Sequence, residues 1–188
     1  MSAMAEAEVR TAVPADAAEI GRIQLSTWRT SYGGILPDEV LERLDRDDTE
    51  RQWAEAIGED SSTVLLALEG GWPVGFCAGG KAPGGESADA HGGVPEDADT
   101  VGLVSALLVE PRWGRRGHGG RLLWHLAERL RAEGLTRAIT WIPEADEASM
   151  SFYRGIGWEP DGTVRTLDAG GRPVRELRLT GGLDLRLA

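Results

Sequence analysis

A run of glycines and arginines follows the most apolar stretch of the chain, and residues of these types in this position can bind an anion. The apolar stretch is Val101–Val109, and residues 114–121 after it read GRRGHGGR. Glycines let the backbone turn sharply and approach a ligand closely, and the first N–H groups of a helix have no intrahelical partner. The segment therefore predicts a phosphate-binding turn. The alternative is a tight turn that needs its glycines only for packing.

The glycine spacing separates this turn from two common phosphate sites. A P-loop ends in Gly-Lys-Ser/Thr, whereas Gly120 is followed by Arg121, and the dinucleotide pattern G-x-G-x-x-G is absent. The turn instead resembles the acyl-CoA pyrophosphate loop of the GCN5-related N-acetyltransferase (GNAT) superfamily, written Arg/Gln-x-x-Gly-x-Gly/Ala. Gly117 and Gly119 match that loop, while Gly114 stands at the leading Arg/Gln position.

A second motif of the same family lies further along the chain. Residues 146–158 read DEASMSFYRGIGW, which resembles the pattern Asn-x-x-Ala-x-x-Phe-Tyr-x-x-x-Gly-Phe/Trp. The Phe-Tyr pair and the final Gly-Trp match, whereas Asp146 replaces Asn and Ser149 replaces Ala. Residues 27–37 and the C-terminal tail are also similar to bacterial members, so the resemblance covers essentially the whole chain.

The resemblance implies an N-acetyltransferase that transfers an acetyl group from acetyl-CoA, its cosubstrate, to a primary amine by direct attack. The acceptor would be a small cationic amine or a peptide amine. A pantetheine arm would pair with the central strand, and a pyrophosphate would sit on residues 115–120. The expected cofactor-binding residues are Leu107, Leu108, Val109, Arg115, Arg116, Gly117, His118, Gly119, Gly120, Arg121, Asp146 and Ser149.

The resemblance assigns the general acid to Tyr153, because its position matches the tyrosine that often serves this role in the family. A phenol with an ordinary pKa of about 10 keeps its proton at neutral pH. The alternative is a core aromatic residue. The central strand carries no carboxylate, and its only polar side chain is that of Ser105. The group that removes the proton from the amine is therefore unassigned. Either ordered water or a carboxylate from the acidic first half of the chain would serve as this base.

Three further positions have two interpretations each. Asp146 either orients the cofactor arm, as the family Asn does, or caps the helix that follows, which we favour. Trp28 and Tyr32 are four residues apart on one helical face. The resemblance implies that they wall the acceptor site, where a cation–π contact is plausible, and core packing is the alternative. His118 is expected to be an exposed loop residue without a catalytic role.

Hydrophobic periodicity and turn residues predict the elements that position these side chains. The order is β-α-α-β-β-β-α-β-α-β-β, an α/β chain. The resemblance implies a GNAT fold, with a mixed central sheet of about seven strands, a splayed parallel pair and about four flanking helices. The chain is predicted to form one domain over residues 1–188. Residues 79–100, rich in Gly, Pro, Asp and Glu, are predicted to form a flexible acidic loop.

Charge and composition exclude several classes of function. The net charge is -11, and residues 1–100 sum to -13 while residues 101–188 sum to +2. A strongly acidic chain does not favour binding to nucleic acid, whose phosphates are negative. The same acidic charge predicts a positively charged acceptor substrate. One cysteine and three histidines without metal-ligand spacing argue against a metal site. The apolar run is too short to span a bilayer, and no signal peptide is visible. The chain is expected to be cytoplasmic, without membrane or nucleic-acid partners. A homodimer is compatible with the sequence.

A second function remains open at this point. The departures at Gly114, Asp146 and Ser149, together with the missing carboxylate, are compatible with a non-catalytic acyl-CoA-binding sensor or a degenerate GNAT module. A protein N-terminal or lysine acetyltransferase would differ from the leading interpretation only in its acceptor.

Overall fold

The computed structural model describes residues 6–186, which contain seven strands and five α-helices. In that part of the chain, no helix is both long and apolar enough to cross a membrane. The strands are Ala7–Thr11 (β1), Thr63–Glu69 (β2), Trp72–Lys81 (β3), Val101–Val109 (β4), Arg137–Pro143 (β5), Glu159–Ala169 (β6) and Arg172–Gly182 (β7). The helices are Ala17–Ser31 (α1), Asp38–Glu42 (α2), Arg46–Gly58 (α3), His118–Ala132 (α4) and Glu147–Gly155 (α5).

The five helices exceed the predicted four, because the second helix of the predicted order corresponds to two helices, α2 and α3. The break lies at Asp45, whose backbone is extended and whose side chain accepts a hydrogen bond from the N–H of Asp48. This is an N-cap, which begins a new helix rather than continuing the old one. The α/β class and the mixed seven-stranded sheet are confirmed.

The sheet has the order β1-β2-β3-β4-β5-β7-β6, and β4 and β5 are its parallel pair. Their pairing stops after three residues, at Leu103 and Ile139. Just beyond, Ser105 is an extra residue in β4 opposite the junction of Ala78 and Gly79 in β3. Such a bulge bends and twists its strand. The predicted splayed pair is therefore present, and the bulge gives its physical cause.

Two apolar layers cover the opposite faces of the sheet. The layer between the sheet and α4 includes Leu65 of β2 with Leu122 and Leu126 of the helix. The layer between the sheet and α1 includes Leu66 of β2 with Ile20 of the helix. Leu65 and Leu66 follow one another in β2, as expected when alternate strand residues serve opposite layers. The leucines of α4 recur at helical spacing, so a single helix faces the core along its whole length.

The acidic segment between β3 and β4 is tied to the far half of the sheet by polar contacts. Strand β3 extends to Lys81, so this excursion comprises residues 82–100. Arg178 of β7, only 5% exposed, donates from Nη1 to the carbonyl oxygens of Glu86 (2.7 Å) and Ala88 (2.6 Å). Its Nε contacts Asp161 Oδ2 at 2.6 Å. The composition of this segment provides few apolar side chains that could be buried. Arg178 holds the segment through its backbone carbonyls instead.

Candidate active site

The gap between β4 and β5 opens beside the second half of β4. Leu107, Leu108 and Val109 lie there, in a stretch that is apolar and yet only partly buried. A continuous apolar run is typical of a strand that is buried on both faces, but β4 is only partly buried beyond Val104, because β5 has diverged and no longer covers it. Thr140 closes the base of the gap, since its Oγ1 donates to the carbonyl oxygen of Val104 at 2.9 Å.

The glycine-arginine turn leads from the end of β4 into α4. Gly117, at the N-cap of α4, has φ +81°, and Arg115 has φ +62°, so both adopt the left-handed conformation. The first intrahelical bond runs from the N–H of Arg121 to the carbonyl of Gly117, which leaves the N–H groups of residues 118–120 without helical partners. Left-handed turns at a helix N-terminus form anion-binding concavities.

The arginines of this turn differ in their availability to a ligand. Arg116 pairs with Glu69 at the end of β2, with Nη1 2.7 Å from Oε1, and lies 4.9 Å from the ring centre of Trp113. Arg121 Nη1 donates to the carbonyl of Arg116 at 3.0 Å. Arg115 is exposed and forms no ion pair within residues 6–186. Arg115 and Arg121 are thus the cations of the turn that no carboxylate neutralises.

His118 is buried, so the expectation of an exposed loop residue is wrong. It is 2% exposed, and its Nε2 lies 2.6 Å from Glu69 Oε2. This hydrogen bond, with a second from Arg116, holds the pKa of the Glu69 carboxyl below its usual range. His118 is buried because the first turn of α4 packs against the end of β2. Its imidazole therefore faces the sheet, and only its backbone is available to the glycine-arginine turn.

Gly119 allows α4 and α5 to approach each other. A Cβ at this position would lie 3.4 Å from the Phe152 ring, a distance that is tight for a carbon contact. Gly119 therefore has a packing function here, which the sequence left as an alternative. Gly117 is the position where the conformation itself requires glycine.

Tyr153 lies on α5 and is 4% exposed. Its ring packs edge-on against Phe152, with centroids 5.2 Å apart, and stacks on Trp158 at 5.4 Å. Burial raises the pKa of this phenol well above its ordinary value. The side chain thus combines a core aromatic ring with a hydroxyl that keeps its proton, so the two interpretations of Tyr153 are compatible.

Asp146 caps α5, as favoured from the sequence. Its Oδ1 accepts from the N–H of Ser149 at 3.0 Å, and its Oδ2 accepts from Ser149 Oγ at 2.7 Å. Tyr32, at the end of α1, donates its hydroxyl to the same Oδ2 at 3.3 Å. Burial, and then the charge of Asp146, raise the pKa of Tyr32. Trp28 packs beside it, with ring centroids 6.1 Å apart, so the predicted acceptor wall meets the N-terminus of α5.

Two carboxylates of this region were missed from the sequence. Glu69 pairs with residues of the turn, as described above. Glu110, the first residue after β4, is 4% exposed and lies 2.8 Å from Arg22 of α1 and 3.1 Å from Arg112. A carboxylate directly after a buried strand was the one available signal for Glu110. It joins α1 to the end of β4.

No group of three or more His, Cys, Asp or Glu side chains within residues 6–186 is arranged to hold a metal ion. The features described above are a strand gap, a cationic turn and a buried phenol.

Comparison with known proteins finds relatives of this chain in both sequence and structure. A probable N-acetyltransferase of Mycobacterium tuberculosis is 24% identical over 161 residues, which span 84% of this chain and 83% of that protein. The fold matches PaiA N-acetyltransferase from Thermoplasma acidophilum in complex with coenzyme A, with a TM-score of 0.73, 15% identity and coverage of 94% and 99% of the two chains. It also matches yncA from Salmonella typhimurium with its cofactor acetyl-CoA, with a TM-score of 0.68, 20% identity and 97% coverage of both chains.

A model of the acetyltransferase (GNAT) family matches residues 23–158. That range runs from within α1 to the end of the second motif, so it contains the gap, the turn and Tyr153. The chain therefore belongs to the acetyltransferase (GNAT) family.

Proposed function

We propose that this protein transfers an acetyl group from acetyl-CoA to the primary amine of a positively charged acceptor. The observation that carries the proposal is the path along the β4–β5 gap. At one end of that path lies the left-handed turn before α4, and at its base lies the buried Tyr153, whose phenol is beside the side chain of Thr140. An anion site and a protonated phenol joined by an apolar groove suit a long cofactor with a phosphorylated end and a thioester end.

The residues of the chain fit this cofactor. The half-exposed apolar stretch Leu107–Val109 offers backbone groups that β5 does not pair, which suits an amide-containing pantetheine arm. The N–H groups of residues 118–120 and the cations of Arg115 and Arg121 suit a pyrophosphate. Acetyl-CoA would supply an acetyl group already activated as a thioester.

The chain's own groups have two tasks in the reaction. Backbone N–H groups on the gap side of β4 are fixed donors for an oxygen that gains negative charge, and preorganised donors of this kind stabilise the transition state. As the amine nitrogen bonds to the acetyl carbon and the carbon–sulfur bond breaks, Tyr153 donates to the departing sulfur the phenolic proton that its raised pKa has kept in place. The proton lost by the nitrogen passes to water, and the phenol takes one back from water.

A positively charged acceptor is supported by a carboxylate beside the acceptor wall. Asp146 acts electrostatically on the phenol of Tyr32 and forms no ion pair within residues 6–186, whereas Glu176, which also acts on that phenol, is paired with Arg165 at 2.5 Å. Both belong to the second half of the chain, although the sequence suggested the acidic first half. Carboxylates of that first half are in part paired, as Asp97 is with Arg137 at 2.6 Å. A cleft lined by one sign of charge concentrates ions of the other sign.

The proposed activity is tested by measuring CoA release with a panel of amines that differ in charge. We expect turnover with polyamines, aminoglycoside-like amines or basic peptide ends, an acceptor KM that rises with salt, and a rate that rises toward alkaline pH as the acceptor amine loses its proton. Acetyl-CoA alone is the control. Tight acetyl-CoA binding without turnover on the whole panel would support the acyl-CoA-binding module instead, and a preference for acidic amines would contradict the charge argument.

Acetyl-CoA should also raise the melting temperature, because it binds only the folded state. At a concentration 100 times Kd the stabilisation is about 2.7 kcal/mol. Gly117→Val should remove most of this shift, since valine disfavours the left-handed turn. Gly134→Val is the matched control, because Gly134 has φ +87° just beyond the other end of α4. Equal ligand-induced shifts in the two variants would mean that the pyrophosphate binds elsewhere.

A further inference from the structure

The two departures from the family's second motif contact each other. Ser149, which stands where the family has Ala, donates both its N–H and its hydroxyl to Asp146, which stands where the family has Asn. The third donor to the same carboxylate is the hydroxyl of Tyr32, from a residue 114 positions away. The substitutions at 146 and 149 therefore form one hydrogen-bonded unit that reaches α1.

A carboxylate at position 146 fixes the direction of the bond from Tyr32. An ionised aspartate only accepts hydrogen bonds, so the single phenolic proton of Tyr32 must point at Asp146. Within residues 6–186, no hydrogen bond is donated to the phenolic oxygen. An asparagine would allow the opposite direction, because its NH₂ group can donate to the phenolic oxygen and leave the O–H free to turn away.

We propose that the phenolic oxygen of Tyr32 is a specificity-determining acceptor of a hydrogen bond from an ammonium group of the acceptor substrate other than the amine that is acetylated, and that Asp146 is the residue that positions it. With its proton committed to Asp146, Tyr32 presents only lone pairs to a ligand. The nearby carboxylate polarises the O–H bond and makes the oxygen more negative. Such an oxygen favours a cationic N–H donor over a carbonyl or carboxylate group. This inference rests on the proposed function and assigns it a recognition residue.

The kinetics of Tyr32→Phe, Asp146→Asn, the double variant and Asp45→Asn test this assignment, with the best cationic amine of the panel as acceptor. Hydrogen bonds to charged groups contribute more than those between neutral groups. We therefore expect Tyr32→Phe and Asp146→Asn each to raise the acceptor KM by about 10-fold or more, with kcat changed only a few-fold. The double variant should be little worse than Asp146→Asn, because the two residues act as one unit. Asp45→Asn changes the capping aspartate of another helix, α3, and should leave KM within about 2-fold.

Acetyl-CoA affinity, measured by calorimetry without acceptor, provides the second readout. It should be unchanged in all four variants. An unchanged acceptor KM in Tyr32→Phe overturns the assignment, as does an Asp146→Asn variant that loses acetyl-CoA affinity, because Asp146 would then hold the cofactor. A wild-type protein that turns over no amine overturns the proposed function and this inference together, which distinguishes that failure from the previous two.

Discussion

Replacing Tyr153 with phenylalanine should lower kcat by roughly 100- to 10,000-fold, the usual range for a lost general acid. The ring remains, so its stacking on Trp158 and its edge contact with Phe152 are kept. Acetyl-CoA affinity and the melting temperature should therefore stay close to those of the wild type. The measurement is kcat under conditions where chemistry limits the rate.

The chain offers a matched control for this substitution, because it contains only two tyrosines. Tyr32→Phe removes the other phenolic hydroxyl and should act on the acceptor KM rather than on kcat. The pH profile is a further check. The acid must be protonated and burial raises the pKa of Tyr153, so the rate should not fall until the pH exceeds about 10, the ordinary phenol value. Wild-type turnover in Tyr153→Phe would refute the assignment.

Arg178→Met should destabilise the protein by about 3 kcal/mol, since breaking a buried ion pair leaves an uncompensated charge. The side chains of Arg178 and Asp161 are only 6% and 18% exposed. The substitution also removes the donor to the carbonyls of Glu86 and Ala88. Urea unfolding measures the stability, and limited proteolysis should cut the excursion (residues 82–100) much faster than in the wild type.

Arg137→Met is the control for that experiment. Arg137 also ties the excursion to the sheet, through Asp97, but the side chain of Asp97 is 44% exposed. A solvent-exposed pair contributes at most about 1 kcal/mol. If both variants lose the same stability, the burial of Arg178 is not the cause, and an excursion that resists protease in Arg178→Met would show that other contacts hold it.

The fold was largely predictable because its signals are local. Each signal lies within one element or within the turn that joins two neighbours. Examples are the apolar run of β4, the leucine spacing of α4 and the glycines at the hairpin turns. The anion-binding turn was found for the same reason, since strand, glycines and helix are contiguous. The exposure of Leu107–Val109 was implied by the family resemblance but not by the apolar run itself, because it depends on a bulge at Ser105.

Contacts between distant residues were the ones that sequence reasoning missed. His118 was expected to be exposed, because the turn around it is polar and its partner Glu69 lies 49 residues earlier. The bond from Tyr32 to Asp146 crosses 114 residues. Asp146 was predicted to cap α5, but the hydroxyls of Ser149 and Tyr32 were not predicted as its further donors. Periodicity predicts which face of an element is buried but not which polar groups meet there.

The anchoring of the excursion by Arg178 has a consequence for the order of folding. The two carbonyls that Arg178 binds lie 92 and 90 residues before it in the chain, and β7 is the final strand. During synthesis, a segment can form long-range contacts only after its partner has left the ribosome, and such non-local contacts form slowly. Strands β2 and β3 can pair early as a local hairpin. The excursion, although it lies in the first half of the chain, can be tied to β5 through Arg137 earlier but acquires its buried anchor, Arg178, only when the C-terminal hairpin is complete.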